Sequence, residues 1–352
     1  MHGMKNFVCL SVLLALGLYG DVRAERLLIA FSANLDSASG CHRDDPSGAD
    51  LYTVVLDLDE MKVSRLTRIT DKPSQAEWFP SISPDGRLIL FNHTRFHPRM
   101  QAVLAYDRRT EHEHFLLWDA RFPHWHSNTG FYWSDTRARH DCHYARVAWE
   151  NGKLVIAESR PITDPDRCPE TTLASDPSPF PDGSGIAFHV LRGVPGAAVA
   201  MLNVNGTGYR RITPWNSSGH VDVSPSGEFI LFSMASTGRP RLARKADNWT
   251  SPKPLPLSTD PDDWASYDRR YGPVDRVGWD YGEWAGSDRR ILFSGQGYVG
   301  RRTIFSRLFL FTFNSDFTSA EIFDFSSAVE ALVGKTYRDF CTGFAIVLQE
   351  NM

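Results

Sequence analysis

The chain has 352 residues, 42% of them hydrophobic and 12% aromatic, with a formal net charge of −4. That length is ample for a packed core, and the mixed, slightly acidic charge with no basic block excludes nucleic acid as a partner class.

Met1 to Lys5 carries one cation, Phe7 to Leu18 is apolar, and Val22-Arg23-Ala24 places small residues ahead of Glu25. This pattern predicts a secretory signal peptide over 1–24, leaving 25–352 as one domain in the secretory pathway or outside the cell. The apolar run is too short to span a bilayer comfortably, and no later stretch predicts a membrane span. Cys9 leaves with the signal. Cys41, Cys142, Cys168 and Cys341 remain, an even number that predicts two disulfides among three connectivities. Asn92, Asn205, Asn216 and Asn248 head Asn-x-Ser/Thr sequons and are candidate glycosylation sites.

The stretch 79–91, FPSISPDGRLILF, reads as two strands joined by a Pro-Asp-Gly turn. Versions of it recur at 122–137, 176–190, 220–234 and 281–295, and 26–33 looks like the second half alone. The aromatics closing each second strand are Phe31, Phe91, Trp133, Phe188, Phe232 and Phe293. Their spacings, by subtraction, are 60, 42, 55, 44 and 61 residues, which fits one four-stranded propeller blade per copy. Each copy continues into a further strand pair, as at 50–67, 145–158 and 198–213, with Asn151-Gly152 and Asn205-Gly206 reading as hairpin turns. Only 326–333 carries a helical stripe. The fold class is therefore all-β, a six-bladed β-propeller. Blade 1 lacks its inner strand, and the segment 340–349 supplies it and closes the ring. This brings Cys341 into the blade of Cys41, predicting a Cys41–Cys341 bond and, within blade 3 and its exit loop, a Cys142–Cys168 bond.

The hairpins resemble the TolB-type propeller repeat, carried here by Pro80-Ser81-Ile82-Ser83-Pro84-Asp85-Gly86 and the apolar strand after it. That resemblance implies the fold and leaves the function open, because such repeats serve scaffolds, peptidase caps and lyases alike.

Alternate residues of each inner strand face the central channel. Aligning the copies gives one level of Phe79, Phe122, Asp176, His220 and Tyr281. A second level holds Ser81, His124, Ser178, Asp222 and Glu283. A third holds Ser83, His126, Phe180, Ser224 and Ala285. Long aromatic loops, one before Phe122 and another over 258–280 with Trp264, Tyr267, Tyr271 and Trp279, are expected above the first level. An aromatic funnel over polar groups is the usual form of a small-molecule pocket. The competing reading is a water-filled polar channel whose groups satisfy one another. The histidines show no clear ring of metal ligands, so neither a metal nor another cofactor is expected.

Signal peptide, sequons, cysteines, a single ring and the absence of a cofactor motif together resemble the secreted fungal propellers of tropolone–sesquiterpenoid biosynthesis, which are hetero-Diels–Alderases. The resemblance implies small apolar substrates: a hydroxymethyl tropolone loses water to a quinone methide, which adds to an alkene of a cyclic terpene. His124 with Glu283 or Asp222 would move protons and Tyr281 or His220 would donate to the oxygen. Phe79, Phe122, His126, Trp264 and Trp279 would hold the substrates. Two other readings stand beside it. One is a non-catalytic propeller binding a protein or ligand through its rim aromatics. The other is a metal-assisted polysaccharide lyase in which Arg269, Arg270 and Arg276 read carboxylates.

Overall fold

The computed structural model describes residues 25–33, 35, 49–71, 76–94, 101–137, 141–164, 166–168, 173–191, 197–215, 219–233, 239–258, 274–300, 302–335 and 340–349. The expected signal peptide, Cys41, Asn216, Trp264, Tyr267, Arg269, Arg270 and Tyr271 lie outside the described residues, as does the Cys341 side chain.

The described strands form six four-stranded antiparallel sheets. Blade 1 begins with β1 (Arg26–Ala33), β2 (Asp50–Asp57) and β3 (Lys62–Arg68). Blade 2 is β4 (Ala76–Ile82), β5 (Leu88–Thr94), β6 (Gln101–Asp107) and β7 (His112–Trp118). Blade 3 is β8 (Ala120–Trp125), β9 (Gly130–Asp135), β10 (Cys142–Glu150) and β11 (Lys153–Pro161). Blade 4 is β12 (Leu173–Pro179), β13 (Gly185–Leu191), β14 (Ala197–Asn203) and β15 (Arg210–Arg211). Blade 5 is β16 (Val221–Val223), β17 (Phe229–Phe232), β18 (Arg241–Arg244) and β19 (Lys253–Pro254). Blade 6 is β20 (Arg276–Trp284), β21 (Arg290–Val299), β22 (Arg302–Phe313) and β23 (Ala320–Asp324). Helix α1 (Phe325–Val333) follows, and β24 (Phe340–Gln349) pairs antiparallel with β1 as the inner strand of blade 1. The inner strands β4, β8, β12, β16, β20 and β24 pack each against the next around the ring. The chain is thus a six-bladed β-propeller closed by its C-terminal strand.

Six apolar clusters lie between successive blades, so each sheet buries both faces. This is why the second strands read as continuous apolar runs instead of alternating. The recurring aromatics Phe31, Phe91, Trp133, Phe188, Phe232 and Phe293 are all within these clusters and no more than 4% exposed. Asn151 and Gly152 both take positive φ (49° and 78°), as a two-residue hairpin turn between β10 and β11 requires. Asn205-Gly206 differs: only Gly206 is at positive φ, and the pair sits inside the longer connection from β14 to β15. The helix forms where the apolar stripe predicts it. Asp324 caps its start by accepting from the Ser327 N–H at 2.9 Å, and Gly334 ends it at φ 73°.

Arg87, just ahead of β5, reaches across to Asp107, where β6 ends, donating from Nε at 3.1 Å and from Nη2 at 2.7 Å. That paired guanidinium holds the Asp107 carboxyl down to about 2. A depressed carboxylate stabilises the fold above its unfolded value and loses this as pH falls through its folded value. Asp107→Asn should therefore cost about 2 kcal/mol at pH 7, with the difference from wild type shrinking below pH 4. Urea melts at pH 7 and pH 3 would check it, and an equal loss at both would refute the ion-pair account.

Candidate site in the central channel

The aligned levels are those of the structure. At the second level, Ser81, His124, Ser178, Asp222 and Glu283 pair opposite Leu90, Tyr132, Ala187, Leu231 and Leu292, the same register in five blades. At the third, the backbone N–H groups of Ser83, His126, Phe180, Ser224 and Ala285 close the turn to the second strand. They donate to Leu88, Gly130, Gly185, Phe229 and Arg290 carbonyls at 2.8–3.0 Å.

The first level carries a device that the alignment does not reveal. Phe79, Phe122, Asp176 and Tyr281 sit at φ of 49°, 51°, 55° and 47°, and at each the pairing to the second strand slips by one residue. These are β-bulges, which bend an inner strand and re-aim one side chain. The residues that follow are Pro80, Pro123, Pro177 and Gly282; an unpaired bulge position is where a sheet tolerates proline.

The re-aimed side chains meet. Phe79 packs edge-on against Phe122 (ring centroids 4.6 Å apart) and tilted against Tyr281 (5.6 Å), and Tyr281 lies 5.3 Å from the His220 ring. Arg121 lays its guanidinium over Phe122 at 4.9 Å. Beneath them is a buried polar group drawn from four blades. His220 Nδ1 is 2.7 Å from Asp176 Oδ2, an ion-pair approach off the line of a hydrogen bond, and its Nε2 lies 2.9 Å from Glu283 Oε1. His124 Nε2 is 4.0 Å from the same Glu283 oxygen. Asp222 accepts the Ser178 hydroxyl at 2.8 Å and the Trp284 N–H at 3.0 Å.

Protonation follows from these neighbours. Burial alone would lower the His220 pKa, but Asp176 and Glu283 together hold it well above the ordinary value, so it is an imidazolium. Burial likewise opposes the Asp176 charge, but His220 brings its pKa below the usual value. Burial, reinforced by Glu283, pushes Asp222 up to about 8, a carboxylic acid that keeps its proton at neutral pH. Burial also raises Glu283 and lowers His124, leaving a neutral imidazole beside two carboxyl groups. The site therefore sets a proton donor, Asp222, beside a proton acceptor, His124, with a fixed cation adjacent.

Ser178 is the hinge of this arrangement, because its oxygen also accepts the Val223 N–H at 3.0 Å. Ser178→Ala should cost about 1–3 kcal/mol by stranding that buried N–H and one Asp222 oxygen. Thermal melts with Ser178→Thr as the hydroxyl-retaining comparison would test this.

Other expected site residues are placed elsewhere. Trp279 is not a channel wall: it is 1% exposed, packed on Phe293, Phe309 and Phe311, with its Nε1–H donating to the Ser258 carbonyl at 2.8 Å. The long loop expected before Phe122 is the single residue Asp119 between β7 and β8. His126 lies at the turn level, edge-on to Tyr132 and beside Gly183, where a Cβ would meet its ring at 3.2 Å. Arg276 lays its guanidinium over the Tyr298 ring at 4.4 Å. Asn92 is 2% exposed, its amide donating to the Ala120 carbonyl and accepting the Phe122 N–H. A glycan there would break both bonds between blades 2 and 3, whereas Asn205 and Asn248 are exposed. The Cys142–Cys168 bond is not formed; both are buried cysteines of one apolar cluster, and burial raises the Cys168 thiol to about 12.

Sequence reasoning aligned Asp176 with the first level but gave it no role. It also passed over a recurring Ile-Thr pair after the outer strands. The Thr70, Thr163 and Thr213 hydroxyls accept the N–H groups of Leu51, Cys142 and Val199 at 2.8–2.9 Å, locking each exit loop to its blade.

No family model and no curated protein matches the chain. Solved structures do match its shape. A chain of a nidogen/laminin complex aligns with TM-score 0.59 at 9% identity, over 92% of this chain and 98% of that one. The hydrazine synthase of Kuenenia stuttgartiensis aligns with TM-score 0.52 at 12% identity, over 85% of this chain and 44% of that one. A putative TolB from Agrobacterium tumefaciens gives TM-score 0.49 at 14% identity, over 85% and 88%. At such identities the likeness shows a propeller fold and nothing about chemistry. Among the described residues no helix is long and apolar enough to cross a membrane.

Proposed function

We propose that the channel is an acid/base site acting on a small, mainly apolar molecule, and that its reaction is an intermolecular hetero-Diels–Alder cycloaddition between a quinone-methide tropolone and a cyclic terpene alkene. The observation that carries the acid/base reading is the pairing of a protonated Asp222 with a neutral His124 beneath the aromatic side chains of Phe79, Phe122 and Tyr281. The finer reaction class rests on the resemblance to secreted fungal propellers. Asp222 gives its proton to the departing hydroxyl of the tropolone, and water leaves. His124 accepts the proton of the ring hydroxyl, which gives the quinone methide. Tyr281 or the His220 imidazolium donates to the oxygen that gains electron density as the diene adds to the alkene. The aromatic side chains hold two apolar partners in one orientation, a contribution worth up to about 7–11 kcal/mol of the barrier in ideal cases. Redox chemistry has no part in it. The sequence of 1–24 supports a location in the secretory pathway.

The test is an adduct assay by mass spectrometry with a hydroxymethyl tropolone and humulene. His124→Ala and Asp222→Asn should each lower turnover by roughly 10²–10⁴-fold while thermal melts confirm a folded chain. Full activity in either variant would remove these residues from the mechanism. Absence of adduct with the wild-type chain would remove the cycloaddition.

A further inference from the structure

His124 differs from three other members of its level. In three other blades the equivalent side chain accepts a backbone N–H from the next inner strand: Trp125 to Ser81 at 3.1 Å, Val223 to Ser178 at 3.0 Å, and Trp284 to Asp222 at 3.0 Å. These bonds tie each blade to its neighbour. The strand that follows His124 presents Pro179 at the corresponding place, and proline has no N–H to give. Position 124 is thereby relieved of the inter-blade bond, and among the described residues the imidazole there makes no hydrogen bond; its Nε2 lies 4.0 Å from Glu283 Oε1.

His124, Asp222 and Glu283 come from blades 3, 5 and 6, yet one ligand-type atom of each lies within 4.8 Å of the other two. Both carboxylates are already oriented from outside. The Ser178 hydroxyl and Trp284 N–H hold Asp222, and His220 Nε2 holds Glu283. Donors of this kind behind ligating carboxylates fix metal centres. Asp176, Asp222 and Glu283 are all buried, and the His220 ring nitrogens lie within 2.9 Å of Asp176 and Glu283.

We propose that His124, Asp222 and Glu283 bind one first-row divalent cation through an imidazole nitrogen and two carboxylate oxygens, with water completing its shell. A mixed nitrogen–oxygen set suits Zn²⁺ or Mn²⁺ better than Ca²⁺ or Mg²⁺, which favour all-oxygen ligands. This departs from the expectation of a metal-free chain. It does not depend on the cycloaddition; where both hold, the cation occupies the groups that move protons and so competes with the reaction.

The experiment is calorimetric titration of the full chain, first stripped with chelator, with ZnCl₂, MnCl₂ and CaCl₂ separately. One Zn²⁺ or Mn²⁺ per chain is expected, bound more tightly than Ca²⁺. Affinity should fall at least about 10-fold in His124→Ala and in Glu283→Gln, and stay unchanged in His126→Ala, which alters a histidine at the turn level outside the proposed ligands. Circular dichroism establishes that each variant is folded, and the two ligand variants stand in for one another if one is not. No binding by the wild-type chain, equal binding by the ligand variants, or preference for Ca²⁺ would overturn the assignment. The isotherm reads no turnover, so a negative result leaves the cycloaddition standing, and a negative adduct assay leaves the metal site standing.

Discussion

His220→Ala should lose about 3–5 kcal/mol of folding stability at pH 7, the usual cost of removing one partner from a buried ion pair. His220 is the common counter-charge for Asp176 and Glu283, at 2.7 Å and 2.9 Å, and all three are less than a tenth exposed. The pH dependence separates lost charge from lost packing. In the wild-type chain His220 is raised above its unfolded value, so its contribution is full below that value, about 6.5, and fades as pH rises through the folded one. In the variant, Asp176 and Glu283 are buried without their cation. Their folded pKa values then lie above the unfolded value of about 4, so the penalty is absent in acid and grows as pH rises. The gap between the two chains should be widest near neutrality and close partly toward pH 4, leaving only the cavity left by the ring. Denaturant melts across pH 4–8 would read it. A gap that stays constant would mean that Asp176, His220 and Glu283 are held by packing and not by charge.

The fold was legible because a propeller repeats its grammar. Each blade must bury two faces and turn back tightly, so an apolar second strand with a closing aromatic recurs. Ser83 and Ser224 mark the same turn 141 residues apart by subtraction, and the register they set carries over to His126, Phe180 and Ala285. The closing strand was legible by the same logic, since β1 had no inner partner of its own.

The site was legible one strand at a time but not across strands. His220, Asp222, Glu283 and His124 could be placed on their levels from spacing alone. That His220 would bridge Asp176 and Glu283 could not, because it depends on the curvature that brings blades 4, 5 and 6 together. The bulges had a signal that went unread: Phe79-Pro80, Phe122-Pro123 and Asp176-Pro177 each put proline where a ladder bond should be. Pro179 carried a second one, an inner-strand residue without an N–H next to the blade whose second-level residue is a histidine. Trp279 was misplaced for the opposite reason. Its neighbours in sequence are polar and loop-like, yet the long hairpin of β21 and β22 extends blade 6 far enough to bury it.

Deleting 336–352 should abolish the cooperative unfolding transition altogether. β24 pairs with β1 from Arg26↔Gln349 to Ala33↔Phe340, and among the described residues it is the only inner strand of blade 1. Without it β1 becomes an open edge whose Leu27, Leu28, Ile29, Ala30 and Phe31, now at most 1% exposed, line a strand free to pair with another chain. The inner strands β4 and β20 lose the neighbour that separates them, so the gap opens directly beside Phe79 and Tyr281. Such a loss is comparable with the whole stability of a domain, on the order of 5–15 kcal/mol. The truncated chain is expected to elute as aggregate and to bind a hydrophobic dye. Adding a synthetic peptide of 336–352 in excess should restore a monomer in proportion to its concentration, because a strand supplied from outside presents the same pairing groups. A truncated chain that stays monomeric with an unchanged melt would show that the ring is held by its inter-blade cores alone, and that β24 is an ornament to a structure already closed by packing.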